Sequence, residues 1–348
     1  MVSIAFEKLN LSNGLDVILH QDHTIPLVAV NVWYHVGSKD EEVGRTGFAH
    51  LFEHVMFEGS KHHNSSHFEP LQKAGANLNG STTQDRTNYW EDVPSNYLEL
   101  ALWLEADRMG FLVDALDQQR FDVQRDVVKN ERRQSYENRP YGMASWNIQE
   151  TLFPPPHPYN WMTIGSQEDL DAASLDDVKD FFRRFYSPSN GSLAIAGDFD
   201  RDQTVAMVER YFGDLPPGPP LPRKGRHDSP LAGRVELEMR DKVSLPRLYI
   251  AWPTPPDLDT DDAPLDVLQA VLSDGISSRL HRSLIYEKQV AQSAGIRYYP
   301  SEIAGQFMVV VTAAEGHSLA EVEAATDAEL EKVRQAPPSQ EEMERVKN

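Results

Sequence analysis

In the stretch Gly47-Phe48-Ala49-His50-Leu51-Phe52-Glu53-His54-Val55-Met56-Phe57-Glu58-Gly59-Ser60, two histidines and a glutamate fall within five residues of a segment that reads as a helix from about Gly47 to Phe57. At about 100° per residue, positions i, i+3 and i+4 share one helix face. His50, Glu53 and His54 therefore point the same way. Two neutral imidazoles one turn apart can ligate one metal ion. A carboxylate between them can take a proton from water held at that ion, whose pKa falls towards ~7. Phe48, Leu51, Phe52, Val55, Met56 and Phe57 are apolar, so the helix is expected to be packed, and packing holds ligands in register.

The order H-x-x-E-H is the reverse of H-E-x-x-H and is the inverzincin pattern. A catalytic zinc needs a third protein ligand and one open position. A charged helical segment from Asp117 to about Asn138 offers Asp126, Glu131 and Glu137, and spacing alone does not choose among them.

Outward from this block, Leu15–Leu19 and Leu27–His35 read as strands separated by a turn at Asp22–Pro26. Asn77–Tyr89 reads as an exposed strand or hairpin, and Tyr97–Phe111 as a helix. Ser174 is a helix N-cap for a segment running to Tyr186. Ser192–Ala196 reads as a buried strand and Thr204–Phe212 as a helix. Leu215–Pro222 (LPPGPPLP) is the most linker-like stretch and continues in polar residues to Gly233. Beyond it, Val235–Met239, Leu248–Trp252 and Phe307–Thr312 read as strands, Leu265–Leu272 and Arg279–Tyr286 as helices, and Ser339–Asn348 as a charged helix. The expected division is a metal-binding domain over 1–222, a linker over 223–233 and a second domain over 234–348. The second domain repeats the strand–helix–strand order of the first and is about half its length, as though the chain were cut short.

The 348 residues suit two domains. They are 40% hydrophobic and 25% charged, ordinary for globular domains. The formal net charge of −21 repels a phosphate backbone and argues against a nucleic-acid partner. The absence of cysteine excludes disulfides, thiolate metal sites and cysteine nucleophiles. Met1–Asn10 lacks a basic region followed by an apolar run. The expected compartment is cytoplasmic if Met1 is native and periplasmic if a signal peptide was removed. No apolar stretch approaches the ~20 residues of a membrane span.

The Gly47–Ser60 block resembles the pitrilysin/insulinase family of zinc metallopeptidases, which includes the mitochondrial processing peptidases. The resemblance extends through Gly75–Thr82 with Asp85, Thr87 and Tyr89, through Asn138–Gly142, and through Phe181–Asp198. It implies an α+β fold of two related domains, each a mainly antiparallel sheet packed with helices, together forming half of a clamshell. It implies one zinc per chain, held by His50, His54 and Glu131, with Glu53 as the general base. Glu131 takes the place of the family's distal ligand, 77 residues after His54. Unfolded peptides would add a strand along Asn79, Gly80, Ser81 and Thr82.

Two departures stand out. Where several members of the family carry a supporting glutamate seven residues before the distal ligand, this chain has Gln124, which can hydrogen-bond but cannot act as a base. The Arg/Tyr pair that polarises the scissile carbonyl in active members maps onto Ile285 and Gln292, with Arg282 and Tyr286 out of register. The expectation is therefore the metal-bearing half of a two-part zinc endopeptidase. A related subunit or a missing C-terminal half would supply the pair. The alternative is a non-catalytic structural or binding subunit of a processing-peptidase-like complex, which loss of Glu53 or a ligand would favour. A metal hydrolase of another substrate class is the third reading. His62, His63 and His67 read as a solvated loop, His20, His23 and His35 receive no role, and Trp90, Trp103 and Trp146 read as core or groove lining.

Overall fold

The computed structural model describes residues 4–347. These form two compact units, one of residues 4–137 and 161–223, the other of residues 138–160 and 224–347.

The first unit is built on a six-stranded sheet. Its strands are β1 (Glu7–Asn10), β2 (Asp16–Gln21), β3 (Leu27–Tyr34), β4 (Asn77–Thr82), β5 (Thr87–Pro94) and β6 (Gly191–Gly197), in the order β1-β2-β6-β3-β5-β4. Only β2 and β6 run parallel; every other pairing is antiparallel. β3 lies near the middle, and its alternation buries Val28, Val30, Val32 and Tyr34. β4 lies at an edge. The helices of this unit are α1 (Phe48–Val55), α2 (Phe68–Lys73), α3 (Leu98–Ala115) and α4 (Gln118–Arg132). A π-helical turn, Arg133–Glu137, follows α4 directly. A helix of the second unit, α5 (Gly142–Leu152), comes next in the chain, before α6 (Gln167–Ala172), α7 (Leu175–Phe185) and α8 (Arg201–Phe212) of the first.

α1 carries Phe48, Leu51, Phe52 and Val55 on one buried face at i, i+3, i+4 and i+7. Phe52 stacks on Phe182 of α7, with ring centroids 5.3 Å apart, and each such buried side chain contributes roughly 1.5–3 kcal/mol. The Ser174 cap expected for α7 is present as a reciprocal capping box with Asp177.

The second unit holds a three-stranded antiparallel sheet of β7 (Arg247–Thr254), β8 (Ala291–Tyr299) and β9 (Gly305–Ala313), ordered β7-β9-β8. α9 (Asp262–Ser273) joins β7 to β8, and α10 (Leu319–Gln335) and α11 (Gln340–Lys347) follow β9. The order β7-β9-β8 repeats β3-β5-β4, with helices between the first two strands of each set, α1 and α2 in one and α9 in the other.

Several expectations change. The compact units do not part at a single linker. Residues 138–160 go with the second unit, because Leu152, Phe153 and Tyr159 pack with Ile303 and Ala304, and the Tyr159 hydroxyl accepts the Ile303 N–H at 3.1 Å. Val235–Met239 alternates like a strand but joins no sheet, and Val235, Leu237 and Met239 are exposed. Arg279–Tyr286 is mostly a π-helical segment, His281–Glu287. β8 (AQSAGIRYY) pairs as a strand although its start is polar and Gly295 interrupts it, so apolar alternation gives no sign of it. His67 is fully buried rather than part of a solvated loop, and His62 is held at 2.5 Å by the buried Asp107. Asp107 also accepts the Ser60 hydroxyl, so the loop after α1 is clamped to α3.

Candidate metal centre

His50, Glu53 and His54 lie on the face of α1 opposite its buried stripe, and all three are half-buried. α4 crosses this face and presents Glu131 from its last turn. The Glu131 Oε2 atom stands 3.7 Å from His50 Nε2 and 3.4 Å from His54 Nε2. The ligand atoms of all three residues lie within 4.8 Å of one another. Tetrahedral zinc with bonds of about 2.0–2.1 Å places its ligands about 3.3–3.5 Å apart, so this donor set fits the ion with small adjustments. Asp126 and Glu137, which spacing had left open, are paired elsewhere, Asp126 with Lys129 at 3.8 Å and Glu137 with Arg132 at 3.1 Å.

Electrostatics suit the same use. Burial and the neighbouring His54 push His50 down to about 4, so the ring is neutral, the form that binds metal. The His54 hydrogen bond holds Glu131 below its ordinary value and keeps it ionised. Burial raises Glu53, partly offset by the Thr82 hydroxyl, which donates to Glu53 Oε2 at 2.5 Å. A carboxylate moved upward in this way is a better proton acceptor near neutral pH.

β4 passes close beside Glu53 because Gly80 has no side chain. A Cβ there would lie 3.2 Å from Glu53 Cγ and 3.1 Å from Tyr89 Cδ1. Of the expected peptide-binding residues Asn79–Thr82, Gly80 and Thr82 thus border Glu53, while Asn79 bonds its neighbour's backbone and the Ser81 hydroxyl donates to Asn88. The Gln124 amide donates to Glu58 Oε1 at 2.7 Å, four residues past His54. In the second unit, Ile285 packs against the apolar core and Gln292 is exposed on β8. Tyr286 is exposed, and Arg282 pairs with Glu287.

The sequence reading missed Glu41. Its buried carboxylate accepts the N–H groups of Gly47 at 2.9 Å and Ala49 at 2.8 Å, where α1 begins. It also missed Tyr136, a largely buried phenol raised by burial and by Glu131. Neither lies in a local pattern, so periodicity carries no sign of them.

Fold and site together define a protein with an H-x-x-E-H helix, faced by Glu131, on a mainly antiparallel α+β unit. Residues 16–153 match the family described as insulinase (peptidase family M16), and residues 172–348 match the one described as peptidase M16 inactive domain. The chain belongs to peptidase family M16. It is similar to the zinc protease PqqE of Helicobacter pylori, at 30% identity over 297 residues that cover 83% of this chain and 65% of that protein. It thus spans less than two thirds of that relative's length. A solved protease structure from Helicobacter pylori superposes with a TM-score of 0.90 at 27% identity, covering 99% of this chain and 83% of the other. The first half of the periplasmic protease PqqL from Escherichia coli shares the fold, with a TM-score of 0.73 at 21% identity, over 98% of this chain and 75% of that one. No helix among the described residues is long and apolar enough to cross a membrane.

Proposed function

We propose that this chain is a zinc-dependent endopeptidase that cleaves unfolded peptides or small polypeptides in an enclosed chamber, as the metal-bearing half of a two-part enzyme. The observation that carries the reading is the convergence of His50, His54 and Glu131 with Glu53 beside them. These residues all fall in the segment matched by the insulinase family, and the stretch matched by the inactive domain begins after them.

One zinc, held by His50, His54 and Glu131, would supply Lewis acidity, polarising the scissile carbonyl and lowering the pKa of water towards ~7. Glu53 takes a proton from the attacking water as the new C–O bond forms. It returns that proton to the amide nitrogen as the C–N bond breaks, so protons balance and two peptides leave. Thr82 orients Glu53 through its hydroxyl. The free edge of β4 would hold the substrate backbone as an added strand. The residues at 285 and 292 are Ile and Gln, so the oxyanion donors would come from a partner. Such donors are worth about 10²–10³ in rate.

The test is metal analysis with an unfolded-peptide cleavage assay. We expect one zinc per chain and weak cleavage by this chain alone. Glu53→Gln should keep the zinc and lose about 10²–10⁴ of the rate measured with a partner present. Full activity without a partner would contradict the two-part reading. Zinc bound with no cleavage in any pairing would favour the second reading, a non-catalytic subunit, which the match of residues 172–348 to an inactive domain supports.

A further inference from the structure

α1 is eight residues long, too short to hold itself in place, and its cap Gly47 sits in the left-handed region at φ +88° with no side chain to offer. The missing cap comes from Glu41, in a loop six residues earlier. Its two oxygens accept the Gly47 and Ala49 N–H groups, and Oε2 also accepts the Trp161 indole N–H at 3.0 Å. The same indole N–H reaches the Ser38 carbonyl at 2.9 Å, so Trp161 ties the loop and the carboxylate together. Burial raises Glu41 to about 8, while the Ala49, Gly47 and Trp161 N–H groups, and the positive end of the helix dipole, favour its ionised form. Beside it, Asp169 accepts the Thr46 N–H at 2.9 Å and the Thr46 hydroxyl at 2.5 Å. A Cβ on Gly47 would lie 2.8 Å from the Ile164 carbonyl oxygen, so the backbone has no slack there.

His50 follows Ala49 directly, and its buried Nδ1 finds no hydrogen-bond partner among the described residues. Metal-binding histidines are commonly aimed by an acceptor on the second ring nitrogen. Here the backbone must do the aiming. We infer that Glu41, supported by Trp161, is the positioning residue of the zinc site: it sets the rotation and axial position of α1 so that His50, Glu53 and His54 face Glu131. This rests on the zinc reading above, and Glu41 itself touches neither metal nor substrate.

The test measures zinc affinity by competition with a chromophoric chelator and the absorption bands of the cobalt-substituted protein. The proteins are wild type, Glu41→Ala, Glu41→Gln, Trp161→Phe and, as a destabilised control, the core variant Leu15→Ala. If wild type binds no zinc, the reading of the site itself fails. Given one bound zinc, Glu41→Ala should weaken it about 10–100-fold, the scale of supporting-residue losses. Glu41→Gln should weaken it about 10-fold, because its NH₂ group faces N–H donors. Trp161→Phe should fall between wild type and Glu41→Gln. The cobalt bands should shift in the Glu41 variants, and Leu15→Ala should lower the melting temperature while keeping affinity within about twofold. Should Glu41→Ala fail to fold, Glu41→Gln gives the same reading. The inference is overturned if Glu41→Gln binds zinc within twofold of wild type with unchanged cobalt bands, or if Leu15→Ala loses as much affinity.

Discussion

β3 and β7 are strands of similar apolar composition, LVAVNVWY and RLYIAWPT, in matching places of the two units, yet they are buried very differently. β3 is paired on both edges, by β5 and β6, and Val28, Val30, Val32 and Tyr34 are completely buried. β7 pairs with β9 alone among the described strands; no residue in it is fully buried, and Trp252 is 40% exposed. The helices that follow these strands differ as well. α1 carries H-x-x-E-H, whereas α9, in the same slot, has the sequence DAPLDVLQAVLS and no histidine. One arrangement of elements thus serves twice, and only one copy has the neighbours and side chains that make a site.

The strand comparison predicts the largest of these effects. Val30→Ala should cost about 2–3 kcal/mol, because a fully packed strand leaves a cavity where methyl groups are removed. Trp252→Ala removes a far larger side chain yet should cost less, about 1–2 kcal/mol, since 40% of it already meets water and only its covered part, against Phe307, is lost. Denaturant unfolding, with the two units followed by hydrogen exchange, measures both. A cost for Trp252→Ala equal to that of Val30→Ala would mean that the β7 edge is covered in solution, and the contrast between the strands would disappear.

The interiors predict a second difference. His67 in the first unit is fully buried, and burial together with Arg108 pushes it down to about 4. Unfolded, it titrates near 6.5. As pH falls through that interval the unfolded chain takes up the proton first, so stability is lost from about pH 6.5 down towards 4. Glu91 nearby acts oppositely. Burial and Glu105 raise it, so the folded state holds its proton and Glu91 favours folding at low pH. The difference between wild type and His67→Gln, both zinc-saturated, isolates the histidine. Wild type should lose on the order of 1–2 kcal/mol more than the variant between pH 6.5 and 4.5. Parallel curves would show that His67 titrates normally. The second unit's buried His157 is also lowered by burial, but its ring nitrogen donates to the His227 carbonyl, which raises it.

What the sequence disclosed follows from how local each signal is. His50, Glu53 and His54 are legible because one turn of helix puts them together, and the strands around β3 are legible because alternation is a two-residue pattern. Glu131 is not local; spacing left it level with Asp126 and Glu137, and resemblance singled it out. Glu41 caps the start of α1 from six residues earlier and Asp169 holds Thr46 just before it, so nothing in their neighbours marks them. His67 misled because Ser65, Ser66 and two histidines beside it read as solvent-loving, whereas Phe57 and Arg108 enclose it. Val235–Met239 misled in the other direction: alternation marks a chain ready to pair, and pairing also requires a neighbour.

Two glycines make the smallest and most discriminating test. Gly80 in β4 and Gly295 in β8 occupy the outermost strand of their respective sheets. A Cβ at Gly80 would press on Tyr89, Glu53 and Phe57 at 3.1–3.2 Å, closer than ordinary van der Waals contact, whereas a Cβ at Gly295 would meet nothing within 4 Å. Alanine restricts the unfolded chain in both cases and so favours folding by about 0.4–1 kcal/mol where it fits. Gly295→Ala should therefore raise stability by about 0.5 kcal/mol and leave cleavage unchanged. Gly80→Ala should leave zinc affinity near wild type, because no ligand touches the new methyl group. It should lower the cleavage rate several-fold, since Glu53 must shift by a few tenths of an ångström and misplacement of a catalytic group on the scale of 1 Å costs about 10²-fold. Equal effects from the two substitutions would mean that β4 has room to move away from Glu53, and that its closeness to the proposed base is incidental.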